Sequence, residues 1–518
     1  MFASVVLWAS MAALAGETVA PGARIVAITI VRSDVFDLTD PGTDSWPYRA
    51  ANALHVVSRE SFIRSLLLFS EGDAVDPALL AESERVLRAT GFLSPVTITA
   101  RPAPGGAEVV VETRDQWTTE AAVNFGVAGS QQKYGFALTE QNFAGYGKRV
   151  EAVWRSDEER DSLTAIYHDP LLLGTRWTLD AAYSDTSDGS GERLLLAHPF
   201  YALETARAGG VEWQRDTIVE YLWAGGDKQV AGNQDTRAFR VWGGLRVGAG
   251  GRTSNRVTAG VFLDRAMFSD WGYLDGREYP TPADRDLAGV EVGFEHQADR
   301  WEVIRGFRAW SRQEDVPLGP NWRVALGVSL PALGGDADRL RFSSDLVLGH
   351  RSDQQYSWLL AGASGRLDDG RAANVVLHAE VGTALTTAHA WRARIAADLG
   401  RSLDGEQQLA LGADTGLRGW DPLTFDGTSR AVANLEYRQR LTDELLHLGI
   451  IGMTLFADAG RTWNPRVGAD TNGVRFAAGG GLAIEITRAA ILRIVRIEVG
   501  FGDDGSGPLF LLTGGSLF

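Results

Sequence analysis

The side chains able to do chemistry are thinly spread in this sequence. With no cysteine anywhere, thiolate zinc sites, disulfides and cysteine nucleophiles are excluded, and the composition suits a chain that crosses an oxidising compartment before it folds. The 8 histidines are scattered, and none is paired at the spacing that would set two imidazoles on one face as metal ligands. Ser364, in Gly362-Ala363-Ser364-Gly365, lacks the spacing of a nucleophile elbow. His55 sits in a run that reads as structural or capping rather than catalytic. No catalytic residue, metal site or cofactor is therefore assigned, and no enzyme is expected. The formal charge of -16 opposes a nucleic-acid partner, whose phosphates require a basic surface.

The elements that must position any site fall into regions of different periodicity. Residues 1–15 read as a signal peptide, an apolar core ending in Ala13-Leu14-Ala15, with an alternative cleavage site after Ala20. Residues 24–114 read as a compact α/β unit of order β-α-α-β-β. Its strand Ile25 to Val31 precedes a helix Ser58 to Leu68 with Ser58 as N-cap, and a second helix starts at Asp76-Pro77 and ends at Gly91. Strands Val96 to Arg101 and Glu108 to Arg114 then flank a Pro/Gly hairpin connection. From Thr119 to Phe518 the helical period vanishes and short alternating segments take over, separated by Gly, Asp, Asn and Ser clusters. In Trp391 to Leu399 every odd position is apolar, whereas Arg392, Arg394 and Asp398 are even. Phe239, Val241, Leu245 and Val247 alternate in the same way with Arg240 and Arg246, and Val257, Ala259, Val261 and Leu263 with Thr258 and Asp264. One face suits lipid and the other water, which is the signature of an all-β transmembrane barrel. Segments such as Val303 to Ser311 are expected in extracellular hairpins.

Specific runs in both regions resemble one family. Asn52-Ala53-Leu54-His55, Leu67 to Asp73 and Glu82 to Arg88 resemble a POTRA domain, and Arg114-Asp115-Gln116-Trp117 resembles its exit into a barrel. Asn124 to Val127, Gln141 to Gly147 and Asp169 to Gly174 resemble the first hairpin and a later periplasmic turn of the BamA/TamA superfamily (bacterial surface antigen). Leu417-Arg418-Gly419-Trp420 resembles that family's motif on the long sixth extracellular loop, Phe456-Ala457-Asp458-Ala459-Gly460 its partner strand motif, and Glu436 stands where the family has an acidic partner.

The resemblance implies an outer-membrane barrel of 16 antiparallel strands with the POTRA-like domain in the periplasm, although the segments counted in the sequence number nearer 20. It implies that Arg418 folds into the lumen, where its fork of donors meets Glu436 and Asp458, with Gly419 and Gly460 leaving room for close approach. In the closing strand, Phe510, Leu512 and Phe518 share a parity, and Gly515 resembles the family's glycine near the end. The function implied is insertion or translocation of client proteins at the outer membrane. The partners would be outer-membrane lipids and unfolded client polypeptides, with room for periplasmic accessory proteins. A two-partner-type secretion pore and a passive porin or lipid-handling barrel are the alternatives. One POTRA-like unit, where BamA-type chains have several, offers little docking surface and weakens the case for a multi-protein assembly partner.

Overall fold

The computed structural model describes residues 19–128, 131–248, 253–468, 473–490, 493–505 and 507–514. The signal-peptide reading therefore lies outside the described residues, except at its alternative boundary near Ala20.

The N-terminal unit consists of β1 (Ile25–Ser33), α1 (Trp46–Leu54), α2 (Glu60–Leu66), α3 (Pro77–Ala89), β2 (Leu93–Ala103) and β3 (Gly106–Asp115). The central strand β3 has β1 parallel on one side and β2 antiparallel on the other. The Asp76 carboxylate caps α3 by accepting the Ala78 amide at 2.8 Å, and Pro77 fills a first-turn position where no amide is needed. Leu80 and Leu87 of α3 then pack with Phe62 and Ile63 of α2 over Val109 and Val111 of the sheet.

Two readings of this unit need correction. The order is β-α-α-α-β-β, because α1 precedes the two expected helices; it buries no residue, so no core-facing stripe marks it in the sequence. Ser58 is not an N-cap either. Arg59 occupies the cap of α2, and the Ser58 amide and hydroxyl both donate to Asp115, at 2.7 and 2.8 Å.

The remaining chain forms a closed antiparallel barrel of 20 strands, from Thr119–Ala128 to Pro508–Gly514, with the last strand beside the first. This replaces the 16 strands implied by resemblance and agrees with the alternating segments counted in the sequence, which number nearer 20. Five strands follow the 402–428 connection and fifteen precede it. Large apolar side chains face outward, with Trp391 at 50%, Ile395 at 64% and Leu399 at 50% exposure, while Arg392 between them is buried. Such a belt with charges inside is what a transmembrane barrel requires. Among the described residues no helix is long and apolar enough to cross a membrane.

The barrel is obstructed from both ends. Counted from Thr119, the connection 402–428 joins the fifteenth strand to the sixteenth, at the end far from the N-terminal unit, whereas 299–320 joins the tenth to the eleventh, at the same end as that unit. Trp301–Ile304 and Glu314–Pro317 form a separate hairpin in the second connection. Val303 to Ser311 thus belongs to the near end and not to extracellular hairpins. Its alternation resembles a strand, but the strand pairs only with its own return.

The unit and barrel are not separated by a free linker. Arg88 of α3 makes a two-pronged contact with Asp315, at 2.9 and 2.8 Å, the Leu203 amide donates to Glu82 at 2.7 Å, and the Trp117 amide donates to the Arg488 carbonyl at 2.7 Å.

Candidate functional site in the barrel lumen

The 402–428 loop turns back into the barrel on a small apolar core of its own. Leu411 and Phe425 exchange backbone hydrogen bonds at 2.8 and 2.9 Å, and Leu417, Trp420 and Val432 pack around them. The Trp420 indole donates to the Phe476 carbonyl at 3.1 Å, pinning the tip to the wall. Gly419 allows that approach, since a Cβ there would lie 2.5 Å from the Phe501 backbone; at Gly460 a Cβ would meet Leu411 at 2.7 Å.

At the tip, the Arg418 side chain is 3% exposed and fully engaged. Its Nε and Nη2 donate to the two Asp458 oxygens at 2.9 Å each, and Nη1 donates to Glu436 at 2.7 Å. Its backbone amide adds a bond to Asp458 at 3.2 Å, and the guanidinium lies 3.7 Å from the centroid of the Phe456 ring. Strand register explains the convergence. Glu436 is opposite Phe456 and Asn434 is opposite Asp458, so both carboxylates point inward on adjacent strands, one pair apart. Asn434 fixes Asp458 by donating to it at 2.7 Å.

Sequence reasoning missed the rest of the cluster. Glu436 also accepts from Arg496, at 3.1 and 3.3 Å, and from Arg438. Arg496 reaches it across two intervening strands, the nearer of which carries no side chain at its inward Gly479 and Gly481. Glu498, two residues on, accepts from Thr454 at 2.6 Å. Arg392, directly opposite Glu436 in the ladder, donates to the Gly306 carbonyl of the near-end connection at 3.3 Å, while its Nε and Nη1 make no hydrogen bond. Arg438 likewise donates to the Arg308 carbonyl, at 3.2 Å. On the other side of this contact Glu485 accepts the Trp310 and Ser311 amides, at 2.6 and 3.1 Å. The signal was present in the sequence as parity: Arg438 lies two residues beyond Glu436, and Arg496 and Glu498 flank the outward Ile497.

Phe510 and Leu512 are not part of this site; they lie on the exposed face of the last strand, with Leu509 and Leu511 inward. Gly515 and Phe518 fall outside the described residues. His55 lies at the barrel entrance, its Nδ1 2.9 Å from Asp34 and its Nε2 3.8 Å from Asp115. Burial pushes the Asp115 carboxyl up to about 6, against the hydrogen bonds from Ser58 and the charge interaction with His55.

Fold and site together define a transmembrane β-barrel with an inward-folded, arginine-clamped loop and an α/β unit docked on its opposite mouth. No family model and no curated protein matches the chain. Among solved structures, BamA from Haemophilus ducreyi lacking POTRA domains 1-3 aligns at 14% identity over 95% of this chain and 83% of its own, with a TM-score of 0.39. CdiB from Escherichia coli aligns at 13% over 94% and 76%, with a TM-score of 0.46. CdiB from Acinetobacter baumannii aligns at 10% over 95% and 74%, with a TM-score of 0.42.

Proposed function

We propose that this chain is an outer-membrane barrel of the BamA/TamA type, its α/β unit in the periplasm, that assists insertion or translocation of client polypeptides without catalysing a reaction. The observation carrying this reading is the buried contact of Arg418 with Glu436 and Asp458, which holds a loop from one end against a wall already contacted by a connection from the other. A passive porin gains nothing from a lumen obstructed twice, and a buried ion cluster is costly to assemble for stability alone. The obstruction favours a client path along the side of the barrel. There a strand edge freed at the junction of first and last strands can pair with an incoming strand, since an unpaired edge is expensive in lipid. The edge of β1 is engaged at Ile25 and Ile28 by the 71–73 segment, so of the two edges of the N-terminal sheet that of β2, bonded at Ile98 to Glu84, suits capture of an extended segment before that step.

Depletion of the protein in its host, followed by an inventory of the outer-membrane proteins, lipids and secreted proteins that disappear, tests the proposal. Loss of a subset of barrel proteins is expected. Loss of a single secreted protein would favour the secretion-pore reading, and loss of small-solute uptake alone would restore the porin.

A further inference from the structure

Helix α1 is amphipathic in the wrong sense for water. Its polar side faces the unit: Asn52 accepts the Phe36 amide at 3.1 Å and donates to the Phe36 carbonyl at 2.8 Å, His55 contacts Asp34, and the Tyr48 ring packs 4.9 Å from Phe36. The opposite face, Trp46, Ala50, Ala53 and Leu54, is bare, with Trp46 80% and Leu54 77% exposed, and Arg49 at its edge pairs with Asp44. In water a surface helix turns its apolar stripe inward, so this orientation needs another partner.

The barrel supplies the argument for which partner. The Tyr48 hydroxyl donates to the Leu446 carbonyl at 2.8 Å, and the Tyr48 ring meets His447 edge-on at 6.4 Å. This fastens α1 to the 441–448 connection, where Leu441, Leu445, Leu446 and Leu448 are all exposed. The two strands leaving that connection, Ser429–Arg440 and Gly449–Trp463, show Leu435 and Leu455 on their outer faces. Exposed apolar surface therefore continues from the outer belt onto the rim of the barrel, and α1 is tied to that rim. Tryptophan is the side chain that favours the boundary between headgroups and acyl chains.

We propose that α1 lies in the interfacial layer of the lipid leaflet on the N-terminal side of the barrel, with Trp46 and Leu54 against lipid, so that the α/β unit is anchored to the bilayer as well as to the barrel mouth. The inference rests on the transmembrane reading of the barrel, and the test separates the two. Because the chain lacks cysteine, single spin labels can be placed by Ala53→Cys on α1, Glu112→Cys on the exposed face of β3 and Ile395→Cys on the outer belt. The full chain is reconstituted in vesicles of phosphatidylethanolamine and phosphatidylglycerol, and collision with oxygen is compared with collision with a water-soluble nickel chelate. Ile395→Cys should favour oxygen strongly, and Ala53→Cys should favour it several-fold over Glu112→Cys, falling back toward Glu112→Cys when Trp46→Asp is added. If Ile395→Cys is nickel-accessible, the barrel reading itself fails. If Ile395→Cys is lipid-buried but Ala53→Cys matches Glu112→Cys, the interfacial placement is overturned. Dipolar broadening at Ala53→Cys would overturn it too, by showing that a second copy covers the face.

Discussion

Glu436, more than the arginine of the loop motif, holds the lumen cluster together. It is fully buried and accepts from Arg418, Arg438 and Arg496, with Arg392 opposite it in the ladder. Removing the carboxylate leaves these guanidiniums facing one another with only Asp458 and Glu498 nearby, whereas removing Arg418 leaves Glu436 with two donors. Breaking a buried pair costs roughly 3–5 kcal/mol through the partner left behind, so Glu436→Gln should lower heat resistance further than Arg418→Ala. The temperature at which the folded band disappears in semi-native electrophoresis measures both. Arg418→Lys should recover part of the loss, since an ammonium cannot fork onto two oxygens of Asp458 and one of Glu436 at once. Equal melting of Glu436→Gln and the parent would mean that the cluster carries no weight. Arg418, Glu436 and Asp458 were legible because their neighbours form recognisable runs. Arg496 and Arg392 showed only their inward parity, because it takes strand register to bring residues so far apart in sequence beside one carboxylate.

At the scale of elements, two connections meet the same wall from opposite ends, and their energetics differ. The 402–428 loop is held by a charged tip plus its own apolar core, while 299–320 is held by backbone groups offered to wall charges, Gly306 to Arg392, Arg308 to Arg438, and Trp310 and Ser311 to Glu485, together with Ile304, Phe307 and Val316 packed on Tyr356, Trp358 and Ala384 and the Arg88–Asp315 pair. Glu485→Ala should raise single-channel conductance in planar bilayers several-fold with Arg418 intact, and deleting residues 305–311 should raise it further; unchanged conductance in the deletion would show that the loop alone closes the lumen. The junction beside it has a pH dependence of its own. Asp115 in the folded chain holds its proton up to about 6, above the range of an unfolded aspartate, so the folded junction binds more protons between the two values and loses stability as pH rises through that window. The titratable groups facing it are His55 and Asp34. Amide exchange at Gln116 to Thr118, corrected for intrinsic rates, should be slower near about pH 5 than near about pH 7.5, and Asp115→Asn should abolish the difference. A pH-independent parent would refute this assignment. Helix α3, the hairpin β2–β3 and the barrel alternation could be read from periodicity and turn residues, but α1 and the inward path of 299–320 could not, because neither presents a stripe matched to a core.

The whole molecule is lopsided, and the asymmetry bears on where it opens. Asp227–Val247 and Thr253–Tyr273 are 21 residues each, whereas Thr119–Ala128 has 10 and Pro508–Gly514 has 7 described residues. At ~3.3 Å per residue the long strands extend ~70 Å and the described part of the closing strand ~23 Å, against a hydrocarbon core of ~30 Å that tilted strands must cross. The tall wall therefore stands well clear of the membrane on ladders of many hydrogen bonds, while the ring closes between strands whose described lengths are less than half of that. Opening at that closure breaks far fewer bonds than opening the tall wall, which makes it a place where a client strand would meet a free edge. The sequence hinted at this only through outward Phe510 and Leu512; the disparity in length emerges once the ladders are paired. Hydrogen exchange of the reconstituted full chain should therefore be faster in Pro508–Gly514 and Thr119–Ala128 than in Asp227–Tyr273, because local opening scales with the bonds that must break together. An added unfolded barrel polypeptide should protect the first two segments and leave the tall wall unchanged. If the closing strands exchange as slowly as the tall wall and do not respond to client, lateral opening is lost as a mechanism, and conduction through a lumen cleared of residues 299–320 becomes the path to test.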